Sequence, residues 1–185
     1  MTEMDNGTSS YNRFLNGDNT ALDELVVFYS DALVGFALCI VGDADVAEDI
    51  AADTFACLVV KRKKFVEEAS FRTYLFKIAR NKCIDYIRAS SRSSAQADFE
   101  QFAGGNAETD VLKRERDRLL YSALTKLSPQ YREVLHLAYF EGFSIKEIRR
   151  VMKKSAKQVY NLLARAKLSL KEILIKEGID SEILQ

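Results

Sequence analysis

Two short stretches carry the residue types that handle polyanions. The first begins at Ser155. "SAKQVYNLLARAK" sets Ser155, Lys157, Gln158, Tyr160, Asn161 and Arg165 within about three turns of a helix. The amides of Gln158 and Asn161 can each present a donor beside an acceptor, the pairing that reads adenine, and Lys157 can donate to guanine or phosphate. Lys153, Lys154, Arg165 and Lys167 suit backbone phosphates, which give affinity without sequence information. The second stretch, "SFRTYLFKIARNKCIDYIR" from Ser70 to Arg88, mixes cations with rings. On a helical wheel Lys77, Arg80, Asn81, Ile84 and Arg88 share a face, spaced by three or four residues. Phe71, Leu75, Ala79, Cys83, Tyr86 and Ile87 gather opposite, where Lys82 has to snorkel, and Tyr74 adds a ring near the basic side. Cations track phosphates, while rings and amides hold unstacked bases. A plain amphipathic helix with a basic outer face explains the same pattern.

The elements that position these residues have local signatures. Ser155 and Gln158 form an S-x-x-Q capping box, and Ser144 and Glu147 form an S-x-x-E box. A helix from Ser144 to about Met152, a turn at Lys153 and Lys154, and a second helix from Ser155 make a helix-turn-helix, with Val159, Leu162, Leu163 and Ala166 as packing face. Ser128 and Pro129 open the preceding helix and Gly142 closes it. Val111 to Leu127 reads as one more helix. In the first half, a helical pattern begins at Tyr11 to Phe14 and continues from Asp18 to Val41. Asp43 is a predicted N-cap, and Ile50, Phe55, Leu58 and Val59 are apolar positions on the next helix. Ser70 caps the helix that runs to about Ala89.

One proline, eight glycines and few alternating patterns in 185 residues predict an all-α chain. The segment "SSRSSAQADFEQFAGGNAETD" has linker composition. The expected organisation is two small helical domains, 1–90 and 111–185, joined by a flexible linker at 91–110, with the helix-turn-helix in the second. The formal net charge of zero hides segregation. Residues 1–59 hold one cation against eleven acids, residues 60–92 ten cations against three acids, and residues 144–176 ten against two. Two basic blocks point to two polyanion surfaces, and the acidic block to a different partner.

The three cysteines, Cys39, Cys57 and Cys83, are odd in number and lack CxxC spacing, so no disulfide framework or metal site is expected and the thiols should be free and buried. His136 is the only histidine, with no nucleophile or acid arranged around it, so it is read as structural and the chain as no enzyme, with no cofactor. No signal peptide and no apolar run of about twenty residues is seen, which predicts a cytoplasmic protein without membrane insertion.

The same stretches resemble the ECF-type sigma factors of bacterial RNA polymerase. "SFRTYLFKIARNKCIDYIR" is similar to the helices of regions 2.3 and 2.4, which melt the promoter and recognise its −10 element. "AEDIAADTFACLVV" is similar to region 2.2, which docks on the polymerase. "LSPQYREVLHLAYFEGFSIKEIRRVMKKSAKQVYNLLARAKLSL" resembles region 4, which binds the −35 element. The resemblance covers about residues 11–90 and 112–175. It implies a non-catalytic, dissociable polymerase subunit with RNA polymerase core and promoter DNA as partners, and an anti-sigma factor as a common further one. It implies core binding by Asp49, Asp53 and Phe55. It assigns the −10 strand to Lys63, Lys64, Phe65, Tyr74, Lys77, Arg80, Asn81 and Arg88, and the −35 element to Ser155, Lys157, Gln158, Tyr160, Asn161 and Arg165. Four positions depart from the family pattern: Ala52 in place of a glutamine, Val59 of a tryptophan, Lys153 of a glycine in the turn, and Tyr160 of a basic residue. The rival readings are a helix-turn-helix regulator and a degenerate sigma-like interaction protein without initiation activity.

Overall fold

A computed structural model describes residues 7–62, 70–90, 120 and 122–177; these are helical, without a strand among them. The first four helices are α1 (Thr8–Leu15), α2 (Thr20–Val41), α3 (Ala44–Lys61) and α4 (Phe71–Ser90). They form a bundle around Tyr11, Phe14, Leu25, Tyr29, Leu33, Leu58, Phe71 and Leu75. The helical pattern expected to continue from Tyr11 to Val41 is broken into α1 and α2 at Gly17, whose φ of +102° ends the first helix. Gly7 holds α1 close to its neighbours: a Cβ there would stand 2.8 Å from Phe71 Cδ1 and 3.0 Å from Leu25 Cδ2. Asp43 caps α3 by accepting from Val46 N at 3.0 Å, and Ser70 caps α4 by accepting from Thr73 N at 3.2 Å, both as expected.

The second unit contains α5 (Pro129–Leu135), a π-helical turn (His136–Phe140), α6 (Ile145–Met152) and α7 (Ala156–Lys176). Residues 122–125 are helical and precede α5; the rest of the helix expected from Val111, like the expected linker, lies outside the described residues. Gly142 follows the π turn with φ +62°. Val134, Leu137, Ile148, Val151, Val159 and Ala166 make the core.

The two units pack against each other. Phe36 of α2 lies 5.1 Å from Phe76 of α4 and 5.8 Å from His136, and Phe76 meets Phe143 edge-on at 5.1 Å. Arg132 of α5 donates to Cys39 O at 2.7 Å and Ile40 O at 3.4 Å, carbonyls near the end of α2, and also to Thr125 O and Leu127 O. A helix leaves its last carbonyls without intrahelical donors, so one guanidinium here satisfies α2 while fixing α5 on it.

Helix α2 is long and apolar enough to cross a membrane by length and composition, longer than the sequence reading allowed. Its stripe Leu25, Tyr29, Leu33, Phe36, Ala37 and Ile40 is buried within the protein, as in a core helix. The cysteines are free; Cys83 is buried, whereas Cys39 and Cys57 are only half-buried. Burial pushes the Cys39 and Cys83 thiols up to about 12.

Candidate nucleic-acid interface

The helix-turn-helix is built by its caps. Ser144 Oγ accepts from Glu147 N at 3.4 Å while the Glu147 carboxylate accepts from Ser144 N at 2.9 Å. Ser155 Oγ accepts from Gln158 N at 3.2 Å while Gln158 Oε1 accepts from Ser155 N at 2.8 Å. Both expected boxes are therefore closed, and each satisfies two otherwise orphaned N–H groups. Between them Lys153 adopts φ 54°, ψ 46°, the left-handed conformation a glycine would adopt more readily. The turn aims α7 outward. Lys157, Gln158, Tyr160, Asn161 and Arg165 are exposed, with Val159 and Ala166 buried beneath and Leu162 and Leu163 half-buried. Gln158, Asn161 and Arg165 border one depression together with Ser128, Gln130, Tyr131 and Lys154. Ser155 is exposed too, but its hydroxyl is engaged in the cap.

The basic face of α4 is different. Lys77 and Asn81 are half-buried and Arg88 is exposed beside Asp85. Arg80 does not face outward with them: it is buried and pairs with Glu133 of α5, which itself is 5% exposed. The expected solvent-facing position of Arg80 is thus corrected, because Glu133 reaches it from α5 where α6 packs along α4. Burial raises the Glu133 carboxyl above its ordinary range, with the Arg80 guanidinium opposing the rise. Two turns earlier, Arg72 donates to Glu141 Oε2 at 2.6 Å and lies 4.4 Å over the Phe143 ring. Burial works to raise the Glu141 carboxyl, but neighbouring His136 and Arg72 outweigh it and hold the group low. His136 stacks on Phe140 at 5.1 Å, and its Nε2 lies 3.3 Å from Glu141 Oε1, near enough to pair when charged though not aligned as a hydrogen bond. It is a structural histidine at the junction of the two units.

Tyr86, expected to pack, is 37% exposed, while its neighbour Ile87 still packs against the core. Lys82, expected to snorkel, leans toward α3 and donates to Asp53 at 2.9 Å. Tyr74 is half-buried, 6.3 Å from Tyr11, and burial raises its phenol. Lys63, Lys64 and Phe65 lie outside the described residues.

Helix α3 sorts its candidates by side. Asp49 and Asp53 are exposed. Phe55 is buried, 7% exposed, on the inner stripe with Ala47, Ile50, Ala51 and Leu58, so its side chain is not on their surface. Six residues at about 100° each carry position 55 well round the helix from position 49. Val59, one of the expected apolar positions on this helix, is 40% exposed. The outer stripe instead continues through Ala52, Ala56 and Val60, the last 83% exposed. The three-and-four spacing from Asp49 could have found it. The roles of Arg132, Glu133 and Glu141 were not foreseen, because periodicity on one helix says nothing about a charge arriving from another.

The family model for Sigma-70 region 2 matches residues 25–93, and that for Sigma-70, region 4 matches residues 117–170. The chain is 30% identical over 137 residues to RNA polymerase sigma factor CarQ of Myxococcus xanthus, covering 74% of this chain and 79% of that protein. It is 26% identical to ECF RNA polymerase sigma factor SigM of Bacillus subtilis, over 87% of this chain and 99% of that one. Among solved structures it is similar, with a TM-score of 0.69, to the sigma factor RpoE from Bartonella quintana, crystallised with the anti-sigma factor NepR. That likeness, at 22% identity, covers 82% of this chain and 95% of the other and shows the fold.

Proposed function

We propose a division of labour within this chain, which belongs to the ECF-type RNA polymerase sigma factors. The chain directs RNA polymerase to promoters at transcription initiation, with the polymerase core and promoter DNA as its partners, and it is not an enzyme. Residues 1–90 meet the polymerase and the opened −10 strand, residues 111–185 read the −35 duplex, and 91–110 connect them. The observation that carries this reading is the open polar face of α7, held outward by two closed capping boxes. Lys157, Tyr160, Asn161 and Arg165 contact duplex DNA from it, in the manner of a helix whose first turns enter the major groove. Asp49 and Asp53, with the adjoining Ala52, Ala56 and Val60, form the polymerase-docking stripe on α3. Lys77, Asn81 and Arg88 take the opened strand. Arg80 joins them only after Glu133 releases it, so strand capture requires the second unit to leave α4. The protein works in the cytoplasm, and an anti-sigma factor is a further partner.

Run-off transcription with the full chain and core polymerase, followed by mapping of start sites, tests the reading. Promoter-specific initiation is expected. Asp53→Arg should abolish recovery of core in a pulldown. Lys77→Ala with Asn81→Ala should leave that recovery unchanged and slow duplex opening, read by permanganate reactivity of unpaired thymines. Core binding without specific initiation would replace this reading with a sigma-like interaction protein; DNA binding without core binding would leave a helix-turn-helix regulator.

A further inference from the structure

The second capping box engages half of the Gln158 amide. Its Oε1 accepts the Ser155 backbone N–H at 2.8 Å. The orientation is chemically forced, because a flipped amide would set its NH2 against a backbone N–H, donor against donor. The remaining polar group is that NH2, and Gln158 is exposed on the face bordered by Asn161, Arg165 and Lys154. A glutamine reads adenine by using its carbonyl and its NH2 together, on N6–H and N7. With the carbonyl engaged, that bidentate contact requires the cap to break. A donor-only contact keeps the cap intact, and the groove offers matching acceptors on guanine (O6, N7), thymine (O4) and adenine (N7), whereas cytosine presents only its N4–H2 donor.

We infer that Gln158 is a specificity-determining residue that reads the promoter as a hydrogen-bond donor alone, rejecting cytosine at one position and meeting adenine, if it stands there, through N7 without the paired N6 contact. This rests on the reading that α7 enters the −35 duplex. The same fold contains the control for its test. Glu147 occupies the equivalent place in the first box and caps Ser144 through its carboxylate. Gln158→Glu therefore preserves the cap and replaces the outward donor with a charged acceptor.

The test uses the full chain with core polymerase on a mapped promoter, with each −35 base pair replaced singly. Gln158→Glu should keep the thermal midpoint and lose preference at one position by about fivefold, the worth of one hydrogen bond near 1 kcal/mol. The ratio between bases is the readout, because an added negative charge weakens all DNA binding alike. Base analogues on the unaltered chain give an arm independent of the variant's folding. If guanine stands at that position, 7-deazaguanine or 2-aminopurine, lacking N7 or O6, should weaken binding; if thymine does, 5-methyl-2-pyrimidinone, lacking O4, should; if adenine does, 7-deazaadenine should and purine, lacking only N6, should not. The inference is overturned if the position holds adenine and both 7-deazaadenine and purine weaken binding, or if Gln158→Glu leaves every preference unchanged. Insensitivity to the whole −35 element would instead sink the underlying assignment of α7, whatever Gln158 does.

Discussion

Helices α4 and α7 look alike as sequence and are opposite as surfaces. Each has a basic and amide face spaced by three and four residues, and each was expected to show it to solvent. On α7 the face is open at Lys157, Gln158, Tyr160, Asn161 and Arg165. On α4 the central cation, Arg80, is closed off by Glu133 from the other unit. The difference teaches that amphipathic spacing locates a polar face but not its neighbour. A helix at the edge of a unit keeps the face the sequence assigns to it, whereas one between two units has it claimed.

The comparison breaks most sharply at Arg80. Arg80→Ala leaves Glu133 buried without its cation, and losing one member of a buried pair costs about 3–5 kcal/mol. Separation of the units would hydrate Glu133 and cap that loss. We expect a lower urea midpoint together with a larger radius of gyration by small-angle scattering. Arg80→Ala with Glu133→Ala should lose less than the two single losses summed. An unchanged midpoint and radius would mean that α4 is as open as α7.

Acid should act on the same junction and spare the recognition helix. The Glu141 carboxyl is held below its ordinary range in the folded protein. Its stabilising contribution is therefore fully present above the unfolded value of about 4.3 and is lost as pH falls through the lower folded value. Stability measured against pH should fall through that window, and less steeply in Glu141→Gln. Equal slopes for the two proteins would remove Glu141 from the junction.

The two capping boxes sharpen the comparison within the second unit. Ser144→Ala and Ser155→Ala should each cost about 1 kcal/mol in the urea midpoint. Only Ser155→Ala should also weaken promoter binding, since it loosens the helix that carries the contacts. Equal effects on binding would mean that α6 approaches DNA as closely as α7. The smallest effect is expected at Lys153. Lys153→Gly relieves a left-handed strain of about 1–2 kcal/mol but adds freedom to the unfolded chain, for a net gain of about 1 kcal/mol or less. A loss of stability would show that the Lys153 side chain makes a contact worth more than the strain.

Much of the local structure was legible because its causes lie within a few residues. The caps at Asp43, Ser70, Ser144 and Ser155, the left-handed Lys153 and the positive φ of Gly142 follow from backbone groups seeking nearby partners. The candidate DNA face of α7 was legible for the same reason. Phe55 could have been assigned to the core by helical phase alone. Burial of Arg80, exposure of Tyr86 and the pairing of Lys82 with Asp53 could not, since each depends on which side of α4 another helix packs.

By itself the sequence determined the all-α class, the helix-turn-helix and the family, because capping, turn chemistry and hydrophobic period act over one or two turns. Only the tertiary structure decided which polar faces stay free. Arg80 with Glu133 is a contact fifty-three residues apart, and Arg132 reaches Cys39 across ninety-three. Such pairs form when packed apolar surfaces bring distant charges together and strip them of water, which no local pattern encodes.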